Sequence, residues 1–140
     1  MSAYLTVKGA NFDVNKFFQI AELQPDSVWH VGGRKNKSFY GPRKVFDNSG
    51  FFIEISSADE ANLHRQIDDA IAYMLENMSI LENLISFPGI EQSYIDFGIE
   101  SRGTPLQVDL FPPTLLRLMA QVGLGLMISR FTVMDSHDDK

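Results

Sequence analysis

Residues 94–110 read Tyr94-Ile95-Asp96-Phe97-Gly98-Ile99-Glu100-Ser101-Arg102-Gly103-Thr104-Pro105-Leu106-Gln107-Val108-Asp109-Leu110. Ile95, Phe97 and Ile99 fall on alternate positions, and so do Leu106, Val108 and Leu110, which is the two-residue period of strands with one buried face. Ser101-Arg102-Gly103-Thr104 supplies turn residues between them, so the stretch predicts an antiparallel hairpin of Tyr94 to Glu100 beside Leu106 to Leu110. Such a hairpin needs a layer to cover its apolar face.

Helices on both sides of it answer that need. Upstream, Ser57-Ala58-Asp59-Glu60 has the form of a capping box, and Leu63, Ile67, Ala70, Ile71, Met74, Leu75 and Met78 recur at three-and-four spacing. This predicts the longest helix, from Ser57 to about Met78. A second capping pattern, Ser79-Ile80-Leu81-Glu82, predicts a break near Ser79 and a short helix to about Phe87, ended by Pro88-Gly89. Downstream, Pro112 and Pro113 suit a helix's first turn, and Leu115, Leu116, Met119 and Val122 give it an apolar side up to Gly123. Leu124 to Val133 reads as a buried last strand.

The N-terminal part extends the pattern. Tyr4 to Lys8 alternates and is rich in β-formers; Asp13 caps a helix carrying Phe17, Ile20, Ala21 and Leu23, which Pro25 ends at Gln24. A long connection follows to Ser49, holding Trp29, Gly32, Gly33, Gly41 and Pro42 with a short strand at Lys44 to Phe46. After the Asp47-Asn48-Ser49-Gly50 turn, Phe51 to Ile55 is the next strand. The order predicts an α+β two-layer sandwich, a mainly antiparallel sheet with helices packed on one face. Residues 1–134 form a single domain in this reading, and 135–140 a flexible acidic tail.

Composition narrows function by exclusion. A net charge of -6 argues against a general nucleic-acid binder, which needs a positive field. The absence of cysteine removes disulfides and thiolate chemistry. Residues 1–10 lack a signal-peptide pattern, and no apolar run approaches the ~20 residues that span a bilayer, so the expectation is a cytoplasmic protein without membrane contact. His30, His64 and His137 have no metal-ligand spacing; His64 and Asp68, four apart, read as an exposed helix pair. No nucleophile elbow, phosphate loop or dinucleotide fingerprint is present, and no catalytic, cofactor or metal residue is assigned.

Charge is unevenly distributed. Arg34, Lys35, Lys37, Arg43 and Lys44 put five positive charges and no acid into residues 34–44, which leaves -11 for the rest of the chain. The basic loop, with Phe39 and Tyr40, reads as a solvated surface loop rather than an anion or single-strand grip. Trp29 reads as an anchor that packs the connection onto the domain. Asp59, Glu60, Asp68, Asp69 and Glu76 give the long helical segment an acidic side suited to a basic partner. Asp96 and Glu100, with Asp109 on the neighbouring run, are the candidate carboxylates for an alternative, a small enzyme or ligand-binding domain using the sheet face.

Leu23, Pro25, Trp29 and Gly32 make a Leu-x-Pro-x-x-x-Trp-x-x-Gly arrangement just after a first strand and helix. In this motif and in its order of elements the chain resembles an uncharacterised bacterial family, a domain of unknown function of similar length. That resemblance lends no catalytic residues. Small, acidic, cysteine-free bacterial domains of this kind look like immunity proteins, and the resemblance implies a non-catalytic module that binds and neutralises a cognate toxin domain; the charge of -11 outside residues 34–44 points to a basic toxin, for which a nuclease, with its positive surface, is the natural candidate.

Overall fold

The structure is a computed structural model that describes residues 2–33 and 45–132. The basic residues 34–44 and the acidic tail 135–140 lie outside the described residues, and so do the expectations made for them. The elements in chain order are β1 (Ala3–Gly9), α1 (Val14–Ile20), β2 (Ser27–Trp29), β3 (Ser49–Ser56), α2 (Leu63–Glu76), the single turns α3 (Met78–Leu81) and α4 (Asn83–Ser86), β4 (Gln92–Ser101), α5 (Pro113–Gln121) and β5 (Gly125–Thr132).

The sheet runs β2-β3-β1-β4-β5. β1 pairs antiparallel with β3 and with β4, and β2 pairs antiparallel with β3. Two strand-helix-strand units therefore interleave: β1-α1-β2 has β3 between its parallel strands, and β3-α2-β4 has β1 between its own, the split βαβ pattern. β5 then joins β4 in parallel through the α5 crossover. The result is an α+β two-layer sandwich with a mainly antiparallel sheet.

Alternation sorts the two faces. Leu5, Val7, Phe51, Ile53, Ile95 and Phe97 are buried against Phe17, Ile67, Ala70, Met74, Leu115 and Met119 from the helices. Tyr4, Thr6, Phe52, Tyr94 and Asp96, at the other parity, stay partly exposed on a sheet face that no described element covers. The aromatic centre of the core is tight, with Phe17 stacked on Phe51 at 5.4 Å between centroids and Phe87 edge-on to Phe17 at 5.2 Å.

The hairpin expected at 94–110 is not formed. β4 is as predicted, but Leu106 to Leu110 makes no strand; β4's edge is taken by β5, in register from Tyr94 opposite Gly125 to Ser101 opposite Thr132. The two-residue period records an extended chain, and an extended chain need not pair. Residues 102–112 form a strap held by side chains instead. Arg102 donates to Asp109 at 3.0 Å, Gln107 donates to the Glu100 carbonyl and to Asp109, and Thr104 donates to the Leu106 carbonyl. Leu106, Val108 and Leu110 consequently point outward, 77%, 73% and 79% exposed. β5 is likewise no buried strand but the sheet edge, with Leu126, Met127 and Ile128 at 41%, 40% and 42%.

The long helix is shorter than predicted. Asn62, not Ser57, caps it, its side chain accepting from Arg65 N, while Asp59 accepts from Ala61 N to make a preceding turn. Its buried stripe is Gln66, Ile67, Ala70 and Met74; Leu75 is 60% exposed and Ile71 only partly buried. Gln66 is tolerated in the core because its Nε2 donates to the carbonyls of Asp59 and Gly98, tying the turn to β4. The break near Ser79 is present, although Asn77 stands at the cap position of α3. α1 stops at Ile20, earlier than Pro25 suggested, and Leu23 is buried in the extended chain that follows. The connection after Pro25 holds a strand that its three residues made illegible, β2.

Candidate functional site

The uncovered sheet face is the part of the molecule where rings and carboxylates converge. On β1, Tyr4 lies between Glu54 of β3 and Asp96 of β4, and Thr6 between Phe52 and Tyr94. Tyr4 and Phe52 meet edge to face at 5.5 Å, and Trp29 lies beyond Phe52 at 6.3 Å. Tyr4, Thr6, Phe52 and Asp96 line a shallow depression of about 260 Å³.

Trp29 is fixed at the far end. Its Nε1 donates to Asn48 Oδ1 at 2.7 Å, and its ring stacks on Phe46 at 5.9 Å. Gly50 is what lets the indole cross β3, since a Cβ there would lie 2.7 Å from Trp29 Cζ2 and 2.5 Å from the Val7 carbonyl oxygen. These contacts support the anchoring role expected from the sequence.

The carboxylates arrive from two strands and two connections. Glu54 accepts from Ser2 Oγ at 3.2 Å and from Tyr4 Oη at 3.1 Å, and Asp96 accepts from Ser129 Oγ at 2.8 Å. These donors are neutral hydroxyls; among the described residues neither carboxylate is paired with a lysine or arginine. Asp26 approaches from the edge, accepting from Glu54 N at 2.6 Å. Glu60 reaches the other end, its Cγ 3.8 Å from where a Cβ on Gly98 would stand, while its carbonyl accepts from Glu100 N. A hydrogen bond from its own backbone amide is the largest influence holding the Glu60 carboxyl below its ordinary pKa. Tyr4 senses three of these carboxylates. Partial burial raises its phenol pKa, and the hydrogen bond to Glu54 and the charges of Glu54, Asp26 and Glu60 raise it further.

Rings bordered by carboxylates form a chemistry that receives cations, by contact with the ring face and by charge-assisted hydrogen bonds. One such contact is already made within the chain, with Lys8 Nζ 5.9 Å from the Tyr94 ring centroid.

The structure divides the acidic residues singled out in the sequence. Asp59 and Glu60 lie in the turn before α2, bordering a hollow with Glu100 and Phe131. Asp68, Asp69 and Glu76 lie on α2, in the other layer. Asp69 is engaged by Ser56 Oγ at 2.7 Å and by Arg65 at 3.2 Å. Asp68 lines a groove with His64, Val108 and Leu110, and no hydrogen bond joins it to His64. The alternative carboxylate site is not assembled. Asp96 and Glu100, four residues apart on one strand, are separated by roughly 13 Å along the backbone, too far to act on one bond without help from another element. Asp109 is turned to Arg102, and although partial desolvation pushes its pKa up, hydrogen bonds from Arg102 and Gln107 and the charges of Arg102 and Arg130 prevail and hold it low. Among the described residues no three His, Asp or Glu side chains are placed to hold a metal ion, and no helix is long and apolar enough to cross a membrane.

Tyr4, Asp26 and Glu54 escaped the sequence reading because the acidic helical segment offered a longer run of like charge. The available signal was the second parity of β1 and β3, which puts Tyr4, Thr6, Phe52 and Glu54 on a common face. No family model, curated protein or solved structure matches the chain.

Proposed function

We propose that this protein is a non-catalytic binding module that receives a basic protein surface on the open face of its sheet. The observation that carries the reading is the setting of Tyr4, a partly exposed ring among the carboxylates of Asp26, Glu54, Glu60 and Asp96. Arginine and lysine side chains are the complementary chemistry, the guanidinium above all, because it pairs with a carboxylate and stacks on a ring at once. The charge of -11 outside residues 34–44 adds long-range attraction to the same class of partner. The specific form we favour is an immunity-type inhibitor that covers a cationic toxin domain, with a nuclease as the natural candidate; the Leu23, Pro25, Trp29 and Gly32 resemblance supports that form, and the site chemistry supports the broader one.

The test is a titration of isotope-labelled protein with a short peptide rich in arginine and lysine, followed by NMR. Shifts concentrated at Tyr4, Thr6, Phe52, Glu54 and Asp96 are expected. Shifts confined to α2, or none at all, would remove the open face as the site.

A further inference from the structure

The two edges of the sheet are unlike. The β2 edge is three residues long and follows Pro25, so it offers almost no template for a further strand. The β5 edge is eight residues long, contains no proline, and carries one charge, Arg130. Among the described residues no strand pairs with its outer side. Natural sheets blunt such an edge with charges, prolines, bulges or a covering segment, and among the described residues β5 shows only one of these devices, the charge of Arg130.

Exposed apolar side chains gather at the same end of the domain. Of the thirteen large hydrophobic residues found exposed, seven belong to the β4-α5-β5 unit: three on the strap, Leu116 on α5, and Leu126, Met127 and Ile128 on β5. Gln107 of the strap donates to the Glu100 carbonyl, and Glu100 stands opposite Phe131, so the middle of the strap lies near the C-terminal half of β5. Edge and strap thus bring exposed apolar residues to the same end of the domain, the pattern of an interface.

We propose that this surface is the contact between two copies of the chain, in which β5 pairs antiparallel with β5 of a second copy about a two-fold axis at Ile128. A two-fold perpendicular to the sheet keeps each side chain on its own face only when the paired residue numbers sum to an even value. Centring on Ile128 sets that residue against itself, Met127 against Ser129, and Gly125 against Phe131. It also sets Arg130 against Leu126, so the two arginines do not face each other. Centring on Ser129 instead would put Arg130 against Ile128 and stack two serines. The eight residues of β5 span ~27 Å, and a sheet layer plus a helix layer is ~20 Å deep, giving a projected contact on the order of 500 Å². Side-chain relief brings this near the ~800 Å² per partner of a standard interface. Pairing also closes the assembly, because among the described residues the only edges left are the two short β2 strands.

Light scattering on the purified full chain should give twice the monomer mass of 15.8 kDa, and Ile128→Lys should return it to that mass with the fold retained by circular dichroism. The chain has no cysteine, so single replacements report pairing directly. Opposite residues in an antiparallel pair stand ~4.5–5.5 Å apart at Cα, within disulfide reach. Ile128→Cys should therefore cross-link to a dimer on oxidation, and Val28→Cys on the β2 edge should not. A wild-type chain that stays monomeric at the highest soluble concentration overturns the proposal, as does a dimer that cross-links equally at both positions or not at Ile128. A monomer whose β5 edge is instead occupied by a different protein overturns it too. If the lysine variant does not fold, the cysteine pair decides alone.

Discussion

Single residues show where burial and exposure part company on one helix. Met74 is fully buried beneath the sheet, whereas Leu75, its neighbour, keeps 60% of its surface exposed. Both carry the same apolar signal, and only the phase of the helix against the sheet separates them. Truncating Met74 leaves a cavity that packed neighbours fill only in part, so Met74→Ala should lower unfolding free energy by about 2–5 kcal/mol. Leu75→Ala should cost less than about 0.5 kcal/mol, because little surface is returned to water. Denaturant unfolding of the two variants checks the phase, and equal losses would mean that the buried stripe has been assigned to the wrong side. Gln66 shows why the sequence could not fix that phase: a polar residue enters the stripe because two backbone carbonyls from distant elements await its amide.

At the scale of elements, what the sequence made legible was whatever is decided locally. Alternation located β1, β3 and β4, and three-and-four spacing located α2 and α5. Pairing is decided by the rest of the sheet, so the strap could not be told from a strand; Leu106, Val108 and Leu110 have the period without the partner. The open-face site was hidden for the same reason, since Glu54 and Asp96 flank Tyr4 only after the β3-β1-β4 order is known. The strap's own rigidity rests on the Arg102 and Asp109 pair, whose side chains are 45% and 10% exposed. With its pKa held below the ordinary aspartate value in the folded state, Asp109 contributes stability that is present above the unfolded pKa and lost as pH falls through the folded one. Arg102→Leu should therefore weaken the domain near neutral pH and flatten part of its loss of stability below about pH 4. Melting curves across that range check this, and an unchanged acid limb would show that the pair contributes nothing to folding.

The whole molecule has an uneven field, with acids on the open face and acids on α2 in the opposite layer. Both contribute to attraction at a distance, but only one set touches a ligand held on the sheet. Salt separates the two effects, because at physiological ionic strength exposed charges reach only about 8 Å. Binding of an arginine-rich peptide should weaken as salt rises from low to physiological levels. Reversing Glu54 and Asp96 to lysine should lower affinity by about tenfold or more even at physiological salt, since contact pairs are lost as well as the field. Reversing Asp68 and Asp69 should act mainly at low salt, where long-range steering is unscreened. Titration calorimetry of the two double variants at both salt levels distinguishes the layers. A larger loss from Asp68 and Asp69 at physiological salt would move the contact to α2 and leave the sheet face without a role in binding.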